Sequence, residues 1–313
     1  MTSIEGTKLI HLTHDGNFQL ETDAKVLACR IITDVEDQQQ QHNDNENDGQ
    51  SQQQQEQKQT IEIQVELQLD VTTMHPQGGG QPTDTGIITT RIDDDEGSDS
   101  YSAVIHKVTI DRSTGIVTHA GTITIPTNRM PRECNYEELF FPPNTPVKVT
   151  VDPTNRQLLS ECHTAGHVVD AAMGKIDGTT NMPPIKGYHF LEGPYVEYKG
   201  AVDAKERDAF LDTLKVAFQE LVDEDIPTVI QTLPISDAEP LCNRLARNFD
   251  LQNFVSPDDP DPTVRVVSTA GSTSPCGGTH ARSTGVLKER GWCVKGLKCK
   301  KGVVRVRYGP VEQ

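Results

Sequence analysis

The chain has 313 residues, 34% of them hydrophobic, a formal net charge of −17 and a mean hydropathy of −0.52. That length suits one large domain or two ordinary ones. No run of 18 apolar residues argues for a membrane span, and the acidity argues against a generic nucleic-acid binder. Seven cysteines without a framework spacing, behind a start that lacks the apolar core of a signal peptide, read as reduced thiols of a cytoplasmic protein.

In chain order, strands are expected over 7–12, 17–21 and 24–34. A polar Gln/Asn-rich insert follows at about 35–58. Residues 34–58 carry seven acids against one lysine and too little apolar surface to order themselves. The chain resumes at 60–69 with strict alternation, Thr-Ile-Glu-Ile-Gln-Val-Glu-Leu-Gln-Leu, the signature of a half-buried strand. The insert is thus an expanded loop between two strands, tolerated because loop closure grows only slowly with length. Next comes a Gly-rich stretch, Gln77-Gly-Gly-Gly-Gln81. Its glycines let a backbone approach a ligand closely, or simply make a tight turn; without a Walker lysine it is no nucleotide phosphate loop. Strands at 87–92, 101–110, 115–125 and 143–151, with an acidic loop at 93–100, complete an all-β barrel over residues 1–151.

The pattern then changes. Asp152-Pro153 suits a helix cap and first turn, and the helix should run to about Met173. It carries His163-Thr-Ala-Gly-His167. Histidines four apart share one helix face about 6 Å from each other, a spacing that suits two imidazoles on one zinc ion. Asp170 could orient one of them, although a surface carboxylate is the plainer reading. A strand, an E-G-P turn and a strand are expected over 187–198; His189 there reads as packing or as a site residue. Helices follow at 205–224, with Phe210, Leu214, Phe218 and Leu221 on one face, and at 238–247. A strand at 263–268 leads into Pro275-Cys276-Gly-Gly-Thr-His280, a Gly-rich loop that offers two more favoured zinc donors. Strands at 292–294, 297–300 and 303–308 close residues 152–313 as an α+β domain. Its last segment is basic between Lys288 and Arg307 and could meet phosphates, or be a solvated strand surface.

Zinc chemistry can be sorted by elimination. A metalloprotease needs a glutamate directly after the first histidine, and Thr164 stands there. Zinc deaminases need H-x-E and C-x-x-C, which are absent around these histidines and in this C-x3-H loop. Zinc fingers place their ligand pairs about a dozen residues apart; here over a hundred residues separate them, so a whole domain would surround the ion.

Taken together, PQGGGQPTDTG, HTAGH, KGYHF-x-x-GPYVEY and PCGGTH resemble the alanyl-tRNA editing proteins of the AlaX type, freestanding relatives of the alanyl-tRNA synthetase editing domain. A more distant resemblance is to the threonyl-tRNA synthetase editing domain. The likeness runs over nearly the whole chain in the same order. It implies an N-terminal barrel of the translation-protein kind, then a zinc-containing α+β editing domain. It implies hydrolysis of the ester in alanine-specific tRNA wrongly charged with serine or glycine. It implies one zinc per chain on His163, His167, Cys276 and His280, with Gly79, Gly80 and Gln81 near the pocket. Thr73 and Gln81 are the candidates for meeting a serine hydroxyl. Met74-His75 and Glu192-Gly-Pro194 depart from the pattern, where aromatics and D-G-P are usual. Two other functions are compatible with the residues: a structural-zinc tRNA-binding module without turnover, and a zinc hydrolase of small esters.

Overall fold

The computed structural model describes residues 6–32, 60–91, 100–126, 139–242, 251, 255 and 260–311. The polar insert expected at about 35–58, nearly all of the acidic loop and the end of the helix expected at 238–247 lie outside them. The chain divides into two compact units. One comprises Met1–Ile10, Gln19–Pro76 and Thr83–Asp152, and the other His11–Phe18, Gln77–Pro82 and Pro153–Gln313.

The first unit is built on a closed six-stranded antiparallel barrel. Its strands are β2 (Glu21–Ile31), β3 (Thr60–Leu69), β5 (Gly86–Thr90), β6 (Ser102–Ile110), β7 (Val117–Pro126) and β8 (Pro146–Val151), in the order β2-β3-β7-β6-β5-β8. Two short strands, β1 (Lys8–Leu9) and β4 (Val71–Thr72), pair in parallel beside it. The alternation in β3 appears directly as burial: Ile61, Ile63, Val65, Leu67 and Leu69 are in the core and their neighbours face out. Register shifts in β2 between Val26 and Ala28, and in β6 between Ile105 and Lys107, are the bulges that let a sheet curl on itself. Met74, one of the departures from the family pattern, is fully buried in this core. Two expected strands are shorter. Ile10–Leu12 and Gly16–Phe18 are single 3-10 turns rather than strand, because His11 and Asn17 bury polar side chains that an alternating strand would expose.

The second unit is α+β. Helix α1 (Pro153–Gly174) and helix α2 (Arg207–Asp223) pack on one face of an antiparallel sheet. That sheet is ordered β14-β15-β10-β9, from β9 (Pro184–Tyr188), β10 (Tyr195–Lys199), β14 (Cys293–Lys300) and β15 (Val303–Gly309). A second sheet, β11-β12-β13, joins β11 (Val229–Pro234), β12 (Thr263–Thr269) and β13 (Ser272–Pro275) and is covered by the short helix α3 (Ile235–Cys242). β11 and β13 are not signalled by alternation: β11 has a single buried residue, Ile230, and β13 is polar. Between Leu159 and Met173, α1 is buried on nearly every side, only Asp170 being partly open. A helix buried all round normally reads as apolar. This one buries Glu161, His163, Thr164 and His167, and each of these must find a polar partner. No described helix is long and apolar enough to cross a membrane.

Candidate metal centre

Helix α1 presents His163 and His167 one turn apart, their rings stacked at 5.1 Å between centroids and 23° between planes. The loop after β13 brings Cys276 and His280 to them. One donor atom from each of the four residues lies within 4.8 Å of the other three. The Cys276 sulfur is 3.4 Å from His163 Nε2 and 3.3 Å from His280 Nε2. A tetrahedral zinc with bonds of roughly 2.0–2.3 Å separates its ligand atoms by roughly 3.3–3.8 Å. The donor set, of three imidazoles and a thiol, therefore fits a zinc ion in kind, and the two sulfur–nitrogen distances match that spacing.

The surroundings prepare each imidazole for that role. Gln81 Oε1 accepts from the backbone N–H of Thr279 at 3.0 Å, and its Nε2 donates to Thr279 Oγ1 at 2.9 Å. This fixes which end of the amide is oxygen. His163 Nδ1, 2.7 Å from that oxygen, must then be the donor, which leaves the Nε2 lone pair facing Cys276. His167 Nδ1 meets Ser274 Oγ at 3.2 Å, and His280 Nδ1 meets Thr164 Oγ1 at 3.5 Å. Burial, with the charge of Arg265 adding to it, pulls the His167 pKa down to about 4, so the ring is neutral and able to ligate at pH 7. Burial raises the Cys276 pKa; the Arg265 charge and the Gly278 N–H oppose it. Arg265 also holds the loop, donating to the carbonyls of Cys276 and Leu12. Asn17 clamps His280 at the backbone, its Nδ2 donating to the carbonyl at 2.9 Å and its Oδ1 accepting from the N–H at 3.0 Å.

Glycines make the approach close enough. Gly78 and Gln81 exchange backbone hydrogen bonds, and the two residues between them, Gly79 and Gly80, have φ of 57° and 80°. That is a two-residue turn with both φ positive, which glycine occupies without strain. It delivers Gln81, which is fully buried, to His163. A methyl group on Gly278 would clash with Cε1 and Nδ1 of His163 and stand 2.6 Å from Gln81 Oε1. One on Gly166 would strike the His189 ring and stand 2.8 Å from the Tyr308 hydroxyl. That accounts for a glycine in the middle of a helix, where it costs about 1 kcal/mol relative to alanine.

The structure thus assembles the four expected donors with Gln81, Gly79 and Gly80 in one unit. Thr73 belongs to the other unit and is fully buried there, its hydroxyl donating to the Gln19 carbonyl at 2.7 Å. Asp170 does not meet His167, whose second nitrogen faces Ser274; it accepts from the Tyr198 hydroxyl at 2.6 Å, and burial raises its pKa to about 7 against that hydrogen bond. His189 stacks on His163 at 4.2 Å, pairs through Nδ1 with the Tyr308 hydroxyl at 2.6 Å and is held by Gly80 at its backbone. Burial lowers its pKa to about 3. Asn17, Ser274, Thr279 and Arg265 escape a sequence reading altogether. Each is a common polar residue, and only the fold puts it beside a ligand.

No protein-family model matches the chain. Among individual proteins, it is 26% identical over 221 residues to an alanyl-tRNA editing protein AlaX-M of Methanosarcina acetivorans, covering 70% of this chain and 78% of that protein. It is 25% identical over 247 residues to an alanine–tRNA ligase of the same organism, covering 76% of this chain and 22% of the ligase. An alanine–tRNA ligase of Natronomonas pharaonis is also 25% identical, over 223 residues, covering 69% of this chain and 19% of the ligase. The chain therefore spans about a fifth of the length of the ligases it matches.

Proposed function

From a chain that is a relative of the AlaX-type alanyl-tRNA editing proteins and of alanine–tRNA ligases, we propose a hydrolase that corrects tRNA. It cleaves the ester of alanine-specific tRNA mischarged with serine or glycine, in the cytoplasm, using one zinc per chain held by His163, His167, Cys276 and His280. The observation that carries this reading is the coincidence of a four-donor cluster of zinc dimensions with similarity over most of an editing protein's length.

A zinc ion held there would supply a Lewis acid beside the ester carbonyl and the attacking water. The chain's own residues do the rest. Gln81 keeps the His163 tautomer and ring orientation, since both of its amide ends are engaged. The turn at Gly79 and Gly80 presents backbone rather than side chain, so the aminoacyl end can come close. His189, neutral and hydrogen-bonded through Nδ1 to Tyr308, forms a dry, aromatic wall next to His163. A site that accepts serine and rejects alanine needs a polar partner for the serine hydroxyl, because an unpaired buried group penalises its absence. Of the two expected candidates Gln81 is proposed for it, through the second hydrogen of its Nε2, whereas Thr73 belongs to the other unit and spends its hydroxyl on the Gln19 carbonyl.

Deacylation of serine-, glycine- and alanine-charged alanine tRNA, with zinc measured on the same sample, tests the reading. Loss of serine or glycine with alanine retained, in protein that carries one zinc, is the expected result. A second reading has its own observation. Four protein donors complete a tetrahedron, the usual form of a structural site. A structural-zinc tRNA-binding module would hold zinc and tRNA and release no amino acid.

A further inference from the structure

We propose that the outer face of the β14-β15-β10-β9 sheet receives the phosphate backbone of the tRNA, an inference that rests on the tRNA reading above. The inner face is committed to the core: Val196, Tyr198, Val304 and Val306 pack toward α1 and α2. Alternation sends their neighbours outward. The register puts Lys300 opposite Val303, Lys298 opposite Arg305, and Arg307 opposite Tyr195. Across β10, Lys199 stands beside Val303, and Lys186 stands beside Glu197 on β9. All four strands thus place cations side by side, on a protein whose net charge is −17.

Their pairing separates this face from an ordinary solvated surface. In the same unit Lys175, Lys215, Lys288 and Arg290 each meet a carboxylate. On the sheet face the carboxylate present is Glu197, and it is spent on Arg305 through two hydrogen bonds of 2.8 and 2.6 Å. Among the described residues Lys298, Lys300 and Arg307 have no ion-pair partner. Arg307 is exposed, and its guanidinium lies over Gly296. A surface groove of about 390 Å³ runs between Lys298, Lys300, Lys301, Val303, Arg305 and Glu197. Unpaired cations cost self-repulsion in the free protein, and an anionic ligand relieves it.

The face also carries aromatic rings in order. Phe190 stacks on Tyr188 at 4.6 Å, Tyr188 on Tyr195 at 5.1 Å, and the Arg305 guanidinium lies 4.0 Å over Tyr195. Cations next to stacked aromatics are what unpaired nucleotides use, whereas a lipid headgroup layer needs only charge. The continuation of β9 ties the face to the metal centre: after Tyr188, His189 turns inward to stack on His163. A strand anchored on the surface by RNA thereby ends beside the ligands. The basic segment expected from sequence between Lys288 and Arg307 is accordingly redrawn. Lys288 and Arg290 leave it, and Lys186 and Lys199 join.

The test uses uncharged alanine tRNA as probe and full-length protein, with binding measured between 50 and 200 mM salt. Lys298→Glu, Lys300→Glu and Arg307→Glu together should weaken binding about tenfold or more and lower the slope of log K against log salt by about 2–3. Lys300→Glu alone should lower it by about 1; it retains the proposal's test if the triple variant fails to hold zinc. Lys25→Glu, Lys107→Glu and Arg112→Glu, equal in charge and exposed on the other unit, should leave the slope near that of the parent. Equal slopes in the face and control variants overturn the proposal, as does a parent that binds no tRNA. Loss of binding to anionic vesicles with tRNA binding intact assigns the face to a membrane and overturns it too. The hydrolase reading fails separately: a parent that binds tRNA through this face and leaves serine-charged tRNA intact loses the activity and keeps the surface.

Discussion

Gln81 Oε1 lies 2.7 Å from His163 Nδ1, although the two residues are 82 positions apart in the chain. This contact joins the Gly-rich turn to the candidate zinc ligands. Partners of this kind, bonded to the far nitrogen of a ligand, typically govern metal affinity by 10–100-fold. Gln81→Ala is expected to lower zinc affinity by about that factor, read as the chelator concentration at which half the zinc is removed. Unchanged zinc retention would remove Gln81 from the support of the site.

Adjacent glycines in the ligand loop give a comparison within one turn. A methyl on Gly278 collides with His163 and Gln81, whereas one on Gly277 meets nothing within 4 Å. Gly278→Ala should destabilise the protein by about 2 kcal/mol, with a fall in Tm of several degrees and loss of zinc. Gly277→Ala should stay within about 0.5 kcal/mol of the parent. Calorimetry and metal analysis on the pair would check it; similar behaviour of the two would contradict the loop geometry.

The four donors predict a metal-dependent fold for the unit that holds them. His163→Ala or Cys276→Ser should reduce zinc from one per chain to none. Chelation of the parent should lower its Tm, because metal binding free energy is also folding free energy. A zinc content of one in either variant would mean the ion sits elsewhere.

Asp170 predicts a pH effect of defined sign. Its folded pKa is raised from 3.8 to about 7 by burial, opposed by the Tyr198 hydrogen bond. The folded state therefore binds the proton more tightly than the unfolded one. The stability this group contributes is full below pH 4 and is lost as pH rises to about 7. Asp170→Asn keeps the shape without the charge. Relative to the parent it should gain up to about 2 kcal/mol at pH 8 and lose that advantage by pH 4. A difference that is constant over pH 4–8, in denaturant melts, would exclude ionisation of Asp170 as the cause. The lowered His167 pKa acts in the opposite sense, so the comparison must be made between these two proteins at each pH.

Sequence pattern revealed what periodicity can carry. The barrel strand Thr60–Leu69 and helix α1 follow from alternation and from a proline start. The amphipathic stripe of α2, with Leu214, Phe218 and Leu221, is equally plain. The candidate ligands were legible because histidines and a cysteine with glycines are rare at such spacings. The rest was hidden for identifiable reasons. β13 reads Ser-Thr-Ser-Pro and has no apolar alternation. Asn17 acts on His280 from 263 residues away. Asp170 has the spacing of a ligand-orienting carboxylate but is claimed by Tyr198, a competitor on another element. Lys288 and Arg290 look like part of a basic tract until Asp223 and Glu161 neutralise them.

The unit that carries the candidate ligands is gathered from three stretches, His11–Phe18, Gln77–Pro82 and Pro153–Gln313. A fragment cut at residue 153 would keep all four donors and discard Asn17, which grips His280, and Gln81, which sets His163. Recombination at that point would transmit the ligands without the residues that aim them. The heritable piece begins no later than residue 11, so the barrel's own strands travel inside it as passengers, two between Phe18 and Gln77 and four between Pro82 and Pro153.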